Sequence, residues 1–285
     1  MLNWSVVIVS WNVKDKLRAC LDSVFTQTGL GALEVFVVDN ASGDHSAQMA
    51  AKEFPQVKLI ANIENRGFAA ACNQAIRRSS GSKILLLNPD CSLAPTALAA
   101  LDLFIAGHPK AGVVGGKLLG MDGKPQSSVR RFPSLSSQAV ILTKIHHLYP
   151  NSVGVNKYLA SDHDYDKSST VDQVMGAFFA IPRQIIAEVG LLDERFFLWF
   201  EEVDYCKRVK QAGYEVYYTP FAVAVHVGGA SFKQLSSSEK QKIWNKSLGV
   251  YMRKHHGLLA SLALKPLFPV ARGLAWIHDK LKRTV

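Results

Sequence analysis

The first 120 residues alternate between short apolar runs and stretches with helical spacing, and this alternation constrains the fold more than any other feature. Runs rich in valine, isoleucine and leucine fit β-strands at 5–10, 35–40, 57–62, 83–90 and 111–119. Helical patterns separate these runs, at 17–24, 46–53, 69–76 and 95–106. Because apolar strands joined by helices form βαβ units, we predict an α/β fold with a mostly parallel central sheet flanked by helices.

Polar residues stand where four of the predicted strands end. They are Ser10-Trp11-Asn12, Asp39-Asn40, Asn62 and Asn88-Pro89-Asp90. Ligands of open α/β sheets bind outside the carboxyl ends of the strands. Any one of these groups is explained equally well by turn chemistry, in which Asn and Asp are common. All four together predict a ligand-binding rim.

Two of the candidate residues have the chemistry of metal ligands. Asp90 follows the apolar run ILLL, and a carboxylate at the end of a buried strand can hold a divalent cation that binds a diphosphate. The Asn-Pro-Asp sequence also fits a turn. His226 ends a second apolar run, before Gly228 and Gly229, and taken alone it is more typical of a structural histidine.

Three acids cluster at the predicted start of a helix over 201–212, namely Glu201, Glu202 and Asp204. Acids are favoured at helix starts by the helix dipole, so a structural role is open. The aromatic run at 196–200 would desolvate a carboxylate and raise its pKa towards that of a general base. The i, i+3 spacing predicts that Glu201 and Asp204 share a helix face.

The positive charge is concentrated at the end of the chain, where residues 233–285 carry +9 of the net +10. Two basic amphipathic helices are predicted there, at 236–256 and 258–283. Such a tail indicates an anionic partner, either a membrane surface or a nucleic acid. Its aromatic residues form no RNA-reading pattern, so we expect an anionic membrane surface and no nucleic acid.

The apolar window 258–277 is a poor candidate for a membrane span, because charged residues and prolines interrupt it. It fits an interfacial segment better. The amino terminus lacks the basic region of a secretory leader, and the four cysteines form no CxxC pair. These features predict a cytoplasmic protein with reduced, buried thiols. Dinucleotide, P-loop and serine-hydrolase motifs are absent from the sequence.

A set of motifs in a fixed order resembles the family 2 glycosyltransferases, and more narrowly their bacterial rhamnosyltransferase-like branch. The motifs are SWN, VVDNASGD, ENRGFAAACNQAI, LLLNPD, GAFFAIPR, GLLDERFFLWFEEVDYCKRVKQAGY and AVHVGGAS. The resemblance covers about residues 4–232. It implies a GT-A domain at 1–232, with a nucleotide-sugar half at 1–120 and an acceptor half at 121–232, followed by the helical tail at 233–285.

The resemblance also implies a metal-dependent, inverting transferase that uses Mg²⁺ or Mn²⁺. Asp39 matches the residue that binds the pyrimidine base, and Asp90 with His226 matches the metal ligands. The positions that match the nucleotide-sugar pocket are Ser10, Asn12, Asp39, Asn40, Asn65, Gly67, Asn73, Asn88 and Asp90. Glu202 matches the general base, with Glu201 and Asp204 as alternatives, and Trp199 matches the acceptor pocket.

The expected donor is dTDP-L-rhamnose, with a UDP-hexose as the alternative. The expected acceptor is a saccharide, either free or linked to a lipid diphosphate, in cell-surface polysaccharide synthesis at the inner face of the membrane. Arg130 and Arg131 could contact a phosphate, although a solvated pair is the favoured interpretation. A protein that binds nucleotide sugars without catalysis remains an alternative.

Overall fold

The computed structural model describes residues 3–29, 31–145 and 153–283, so the first two residues of the predicted domain and the last two of the tail lie outside it. The alternation predicted for the first half is confirmed. Its elements are β1 (Trp4–Ser10), α1 (Lys14–Phe25), β2 (Leu33–Asp39), α2 (Ser46–Glu53), β3 (Lys58–Ala61), α3 (Phe68–Ile76), β4 (Lys83–Leu87), β5 (Cys91–Leu93), α4 (Ala97–Gly107) and β6 (Ala111–Leu119).

The second half contributes four short strands, the 12-residue strand β11 and further helices. Its elements are β7 (Val129–Arg130), α5 (Leu135–Leu142), α6 (Val153–Leu159), β8 (Ser169–Val171), β9 (Gln173–Val174), β10 (Phe178–Pro182), α7 (Arg183–Val189), α8 (Glu201–Gln211), β11 (Glu215–His226), α9 (Ser237–Leu264) and α10 (Leu267–Arg283). The backbone of α9 is interrupted at Gly257 (φ 87°), where the two tail helices were predicted to meet, although α9 resumes as far as Leu264.

The central sheet has the order β3-β2-β1-β4-β10-β6-β11-β5, and β8 also pairs with β11. The four strands β3, β2, β1 and β4 are parallel, as the βαβ pattern predicted. The parallel order does not continue to β6, because β10 enters the sheet antiparallel to both β4 and β6. The α/β class and the flanked sheet are confirmed, and the second half makes the sheet mixed.

Helices cover both faces of the sheet, so every residue of β1 is buried. Alternate side chains of β1 belong to different core clusters. Val6 and Ile8 pack with α1, α2 and α4 on one face, whereas Val7 and Val9 pack with α3, α7 and α8 on the other. This arrangement explains why the strands are continuously apolar. The four cysteines are free and buried, as predicted.

The tail packs against the predicted acceptor half of the chain through a third cluster, in which Leu248, Tyr251 and Met252 of α9 pack with Phe196 and Phe200. Within the described residues no single helix is long and apolar enough to span a membrane. Taken together, α9 and α10 have the length and composition of a span, but the pair is bent by 69°. The outer side of α10 carries an exposed apolar stripe at i, i+4, i+7 and i+11, formed by Val270, Leu274, Ile277 and Leu281.

Candidate active site

The parallel strands bring their polar ends to one edge of the sheet. Ser10 at the end of β1 lies in register with Asp39 at the end of β2. Both side chains are buried, and Ser10 Oγ and Asp39 Oδ2 have no hydrogen-bond partner among the described residues. Buried oxygens without partners are costly, so they mark a place where a polar ligand completes the structure.

The loops beside these two residues are held by side-chain oxygens that accept hydrogen bonds from the backbone. Asp39 Oδ1 accepts from the Ser42 N–H (2.9 Å), and Asn12 Oδ1 accepts from the Gly43 N–H (2.7 Å). Asn12 has a left-handed backbone (φ 52°), and its Nδ2 donates to Gln234 Oε1 (2.8 Å). Asn12 therefore joins the start of the predicted nucleotide-sugar half to the start of the tail.

A cavity of about 350 Å³ opens at this edge, and five of the predicted donor residues line it: Asn40, Asn65, Gly67, Asn88 and Asp90. Gly67 (φ 81°) approaches another loop so closely that a Cβ atom there would lie 2.4 Å from the carbonyl oxygen of Phe197. Only glycine fits that backbone. The adjoining Asn65 and Asn40 side chains hold it, by bonds to its N–H and C=O.

Asn73, also predicted to contact the nucleotide, lies apart from this cavity. Its side chain is fully buried and donates to the Leu192 carbonyl (2.8 Å) and Glu194 Oε1 (2.9 Å). Its Oδ1 accepts from the Leu192 N–H (3.1 Å). All of its polar atoms are used in fixing the loop before α8, so in this structure it is a scaffold residue.

Asp90 lines the first cavity, and His226 lies against Asp90. His226 Nε2 lies 3.4 Å from Asp90 Oδ1, and both residues are buried. Gln126 holds His226 by two contacts. Its Nε2 donates to the backbone carbonyl of His226 (2.8 Å), and its Oε1 lies 2.8 Å from the imidazole Nδ1. Nδ1 therefore donates to Gln126, and in this tautomer the lone pair of Nε2 faces the carboxylate. Nε2 has no hydrogen-bond partner among the described residues.

That arrangement fits a divalent cation. An imidazole lone pair and a carboxylate oxygen repel each other unless a positive charge lies close to both, and N and O donors suit Mn²⁺ or Mg²⁺. Burial opposes ionisation of Asp90, but the adjacent His226 side chain and a hydrogen bond from the Ala230 N–H outweigh it and hold the pKa of Asp90 below its ordinary value. The carboxylate is thus ionised at neutral pH.

Cys91 is the third residue whose ligand atom lies within 4.8 Å of the other two. Its thiol faces the core and donates to the Ala177 carbonyl (3.4 Å). Burial raises the pKa of this thiol well above its usual range. Because metal binding needs the thiolate, Asp90 and His226 are the ligands that this part of the chain offers.

A second cavity, of about 470 Å³, adjoins the first, and both are bounded by Asn88 and Gly229. Glu201 and Glu202 line it at the start of α8, and each has one buried carboxylate oxygen without a partner. Burial raises the pKa of both carboxyl groups, and the nearby charge of Glu202 adds to the effect on Glu201. A carboxylate with a raised pKa is a better proton acceptor.

The backbone that positions these acids is strained. Trp199 (φ 62°) and Phe200 (φ 72°) both adopt the left-handed conformation immediately before α8. Such residues cost about 1–3 kcal/mol each and persist where packing holds them. The ring of Phe200 packs on Trp244 of α9, with centroids 4.8 Å apart. Trp199 itself lines the second cavity, where an acceptor residue was predicted.

Asp204 lies outside this cavity and is fully buried, within an ion cluster between α8 and α9. Its Oδ2 accepts from Arg208 (2.9 Å), while Oδ1 lies 2.7 Å from both Lys254 Nζ and His255 Nε2. Burial opposes its ionisation, but these partners lower the pKa of Asp204 below the ordinary value. The i, i+3 spacing suggested that Asp204 would accompany Glu201, but the tail supplies cations that fix Asp204 in a structural ion cluster.

Gln126 had no predicted role in the site, and a solvated pair was the interpretation favoured for Arg130. The bond from Gln126 to His226 spans 100 positions of the chain. Arg130 lines the second cavity, and its charge lowers the pKa of Glu202 against the effect of burial. The two arginines therefore have different surroundings: Arg130 lines the cavity, whereas Arg131 forms an ion pair with Asp162 (2.8 Å).

Comparisons with known proteins agree with this arrangement. Residues 5–163 match the model of glycosyl transferase family 2. A relative from Mycobacterium tuberculosis, N-acetylglucosaminyl-diphospho-decaprenol L-rhamnosyltransferase, is 26% identical over 232 residues, which cover 78% of this chain and 75% of the relative.

Two solved structures share the fold. The mannosyltransferase of Pyrobaculum calidifontis in complex with GDP-Man and Mn²⁺ has a TM-score of 0.58 and 19% identity, covering 96% of this chain and 73% of its own. GalNAc-T7 with UDP, GalNAc and Mn²⁺ has a TM-score of 0.59 and 18% identity, covering 79% of this chain and 44% of its own. Both are GT-A enzymes, and the likeness shows the GT-A fold.

The family model matches more than half of the chain, and the mycobacterial rhamnosyltransferase is one of the relatives to which the chain is similar. This protein is therefore a glycosyltransferase that belongs to glycosyl transferase family 2.

Proposed function

We propose that the protein transfers L-rhamnose from dTDP-rhamnose to a saccharide acceptor in cell-surface polysaccharide synthesis, with inversion at the anomeric carbon. One observation carries the proposal. The cavity beside Asp90 and His226 and the cavity that holds Glu202 are neighbours that share Asn88 and Gly229 in their walls. A donor in the first cavity would meet an acceptor in the second.

Asp39 supports a pyrimidine nucleotide. Its free, buried Oδ2 is an acceptor for the imide N–H that thymine and uracil share. That chemistry favours neither base, so the rhamnose donor rests on the name of the mycobacterial relative. A UDP-hexose is the second candidate, and Asn40, Asn65 and Gly67 would line the pocket for either nucleotide sugar.

Asp90 and His226 would hold the cation, and Gln126 would keep the imidazole in the ligating tautomer. A bound Mg²⁺ or Mn²⁺ supplies positive charge that stabilises the leaving nucleoside diphosphate. The buried side chains of Asp90 and His226 would give such a site one oxygen donor and one nitrogen donor.

Glu202 would act as the general base. Its carboxylate accepts the proton of the acceptor hydroxyl as that oxygen attacks, a step worth roughly 10²–10⁴ in rate. Attack from the side opposite the diphosphate inverts the configuration and requires no covalent intermediate on the enzyme. Glu201 lines the same cavity and is the alternative base. Trp199 would stack against the acceptor sugar.

The acceptor is proposed to be linked to a lipid diphosphate, as the name of the mycobacterial relative implies for that enzyme. The basic tail and the exposed stripe on α10 support peripheral binding to an anionic membrane surface, where each Lys or Arg adds about 1 kcal/mol. In this proposal, residues 1–120 bind the donor, 121–232 bind the acceptor and 233–285 contact the inner face of the cell membrane.

A thermal-shift screen tests the donor assignment. We expect dTDP-rhamnose with Mn²⁺ to raise the melting temperature, because ligand at 100 times its Kd adds about 2.7 kcal/mol. UDP-glucose, UDP-GlcNAc, GDP-mannose and NAD serve as comparisons, each with and without Mn²⁺. A larger shift with a UDP-sugar would reassign the donor. Binding without transfer to a lipid-linked acceptor would favour a non-catalytic nucleotide-sugar-binding protein.

A further inference from the structure

A third cavity, of about 500 Å³, lies between α5, α9 and α10, behind the cavity of Glu202. Ile141, Trp199 and Trp244 line both cavities, so the two cavities meet at these side chains. The two indole rings stand with their centroids 5.7 Å apart. Nothing in the catalytic proposal uses this space. A molecule in it would contact Trp199, on which the acceptor sugar is proposed to stack.

The polar lining of this cavity is basic. Lys144, Lys240 and His278 border it, and none of its described lining residues carries a carboxylate. Neither lysine forms an ion pair with a described carboxylate, and burial lowers the pKa of Lys144. The nearest acid on α10, Asp279, is taken up by the start of α9, because its oxygens accept from the Ser237 and Ser238 N–H groups (both 3.0 Å).

The cavity opens beside an apolar surface. Leu274 lines the cavity and also belongs to the exposed stripe on α10 with Val270, Ile277 and Leu281. Trp276 is half exposed on the same helix, with Lys280 Nζ 4.1 Å from the centroid of its ring. Apolar side chains next to cations match the boundary between acyl chains and anionic headgroups.

We infer that this cavity binds the diphosphate of a lipid-linked acceptor, with Lys144 and Lys240 on the phosphates and the lipid chain along the stripe of α10. The inference rests on the proposed function, and it names a separate site for the part of the acceptor that does not react. The charges of the lining suit a dianion or trianion. Because Trp199 and Trp244 line both cavities, an acceptor bound there would have its sugar next to Glu202. Binding energy from this remote group would position the reacting hydroxyl.

The experiment is a calorimetric titration with farnesyl diphosphate, in EDTA so that no metal ion can bind a phosphate at Asp90 and His226. The expected order of affinity is farnesyl diphosphate, then inorganic pyrophosphate, with no binding of farnesol at the same concentrations. The double variant Lys144→Gln/Lys240→Gln should weaken farnesyl diphosphate at least tenfold. The matched control is Lys242→Gln/Lys246→Gln, which removes the same charge from exposed positions of α9 and should leave the Kd unchanged.

Each contrary result overturns the inference in a different way. Equal affinity for farnesol and farnesyl diphosphate would reduce the site to an apolar surface, and equal affinity for pyrophosphate would make it a site for free phosphate. These two comparisons use the unmodified protein and do not depend on how the variants fold. Equal loss in both double variants would show a general effect of charge. Donor binding with Mn²⁺ is measured separately, so its failure would refute the proposed function and leave the cavity untouched.

Discussion

The ion cluster around Asp204 makes a prediction that separates a structural acid from a catalytic one. The substitution Asp204→Asn keeps the size of the side chain and removes its charge. Three partners then lose their anion, namely Arg208 (2.9 Å), Lys254 (2.7 Å) and His255 (2.7 Å). Because the side chains of Arg208 and Lys254 are only 18% and 23% exposed, water replaces little of what is lost.

The expected cost follows from this geometry. Removing one partner of a buried ion pair costs about 3–5 kcal/mol. Lys254 keeps a second carboxylate, Asp193 at 2.8 Å, and Arg208 keeps the Val189 and Leu191 carbonyls, so we expect a loss near 3 kcal/mol, at the low end of that range. An unfolding entropy of about 2.1 cal/mol/K per residue gives roughly 0.6 kcal/mol/K for this chain, and the melting temperature should fall by about 5 °C.

The assay combines thermal unfolding with transfer activity measured below the transition. The variant should lose stability. Its kcat should fall by far less than the roughly 10²-fold loss that removal of a general base causes. Asp162→Asn is the matched control, since its pair with Arg131 is exposed and worth about 0–1 kcal/mol. A variant of Asp204 that melts like the parent and loses 10²-fold or more in kcat would refute the structural role.

The same cluster has a pH signature. The partners lower the pKa of Asp204 in the folded state, so its contribution is fully present above the unfolded value near 3.9 and is lost as the pH falls through the lower folded value. The stability difference between the parent and Asp204→Asn should therefore be constant from about pH 5 upwards and shrink below about pH 4.

Three further predictions concern the donor side. Gln126→Ala should weaken Mn²⁺ binding about 10–100-fold in calorimetry, because the ligand imidazole loses its fixed tautomer, and an unchanged Kd would exclude this role. Asp39→Asn should weaken dTDP binding at least about tenfold, because an amide N–H₂ would face the imide N–H, whereas equal binding would move the base elsewhere. Gly67→Ala should destabilise the fold by about 1–3 kcal/mol more than Gly123→Ala, which has a similar positive φ but open space around it, and equal losses would exclude the clash with Phe197.

Local sequence patterns predicted the elements of the first half because each strand and helix there is a short stretch with its own periodicity. The helix at 46–53 and the strand at 111–119 have the predicted bounds. The insertion of β10 between β4 and β6 depends on pairing between segments about 60 to 100 positions apart, such as Phe178 with Leu87. No local pattern encodes that partner.

The candidate site shows the same limit. Asp39 and Asp90 were identified because strand ends are visible in the sequence. Asn73 was assigned to the site from a motif match, and Asp204 from its place in the acidic cluster. Their side chains are used by partners at positions 192 and 254–255 that only the fold brings near. Gln126 lacked any local signal, since its role depends on a histidine of β11.

The central claim is that Glu202 is the base of a glycosyl transfer reaction. It is tested most directly by the pH dependence of kcat for the parent, Glu202→Gln and Glu201→Gln, with dTDP-rhamnose, Mn²⁺ and a GlcNAc-diphospho-lipid acceptor. The pKa of Glu202 is raised by burial, and a base must be ionised, so the parent should lose activity as the pH falls through that raised value. Glu202→Gln should lower kcat by about 10²–10⁴ and abolish this acid limb while dTDP-rhamnose still binds. Retention of the parent's kcat and pH profile in Glu202→Gln, with their loss in Glu201→Gln, would contradict the assignment.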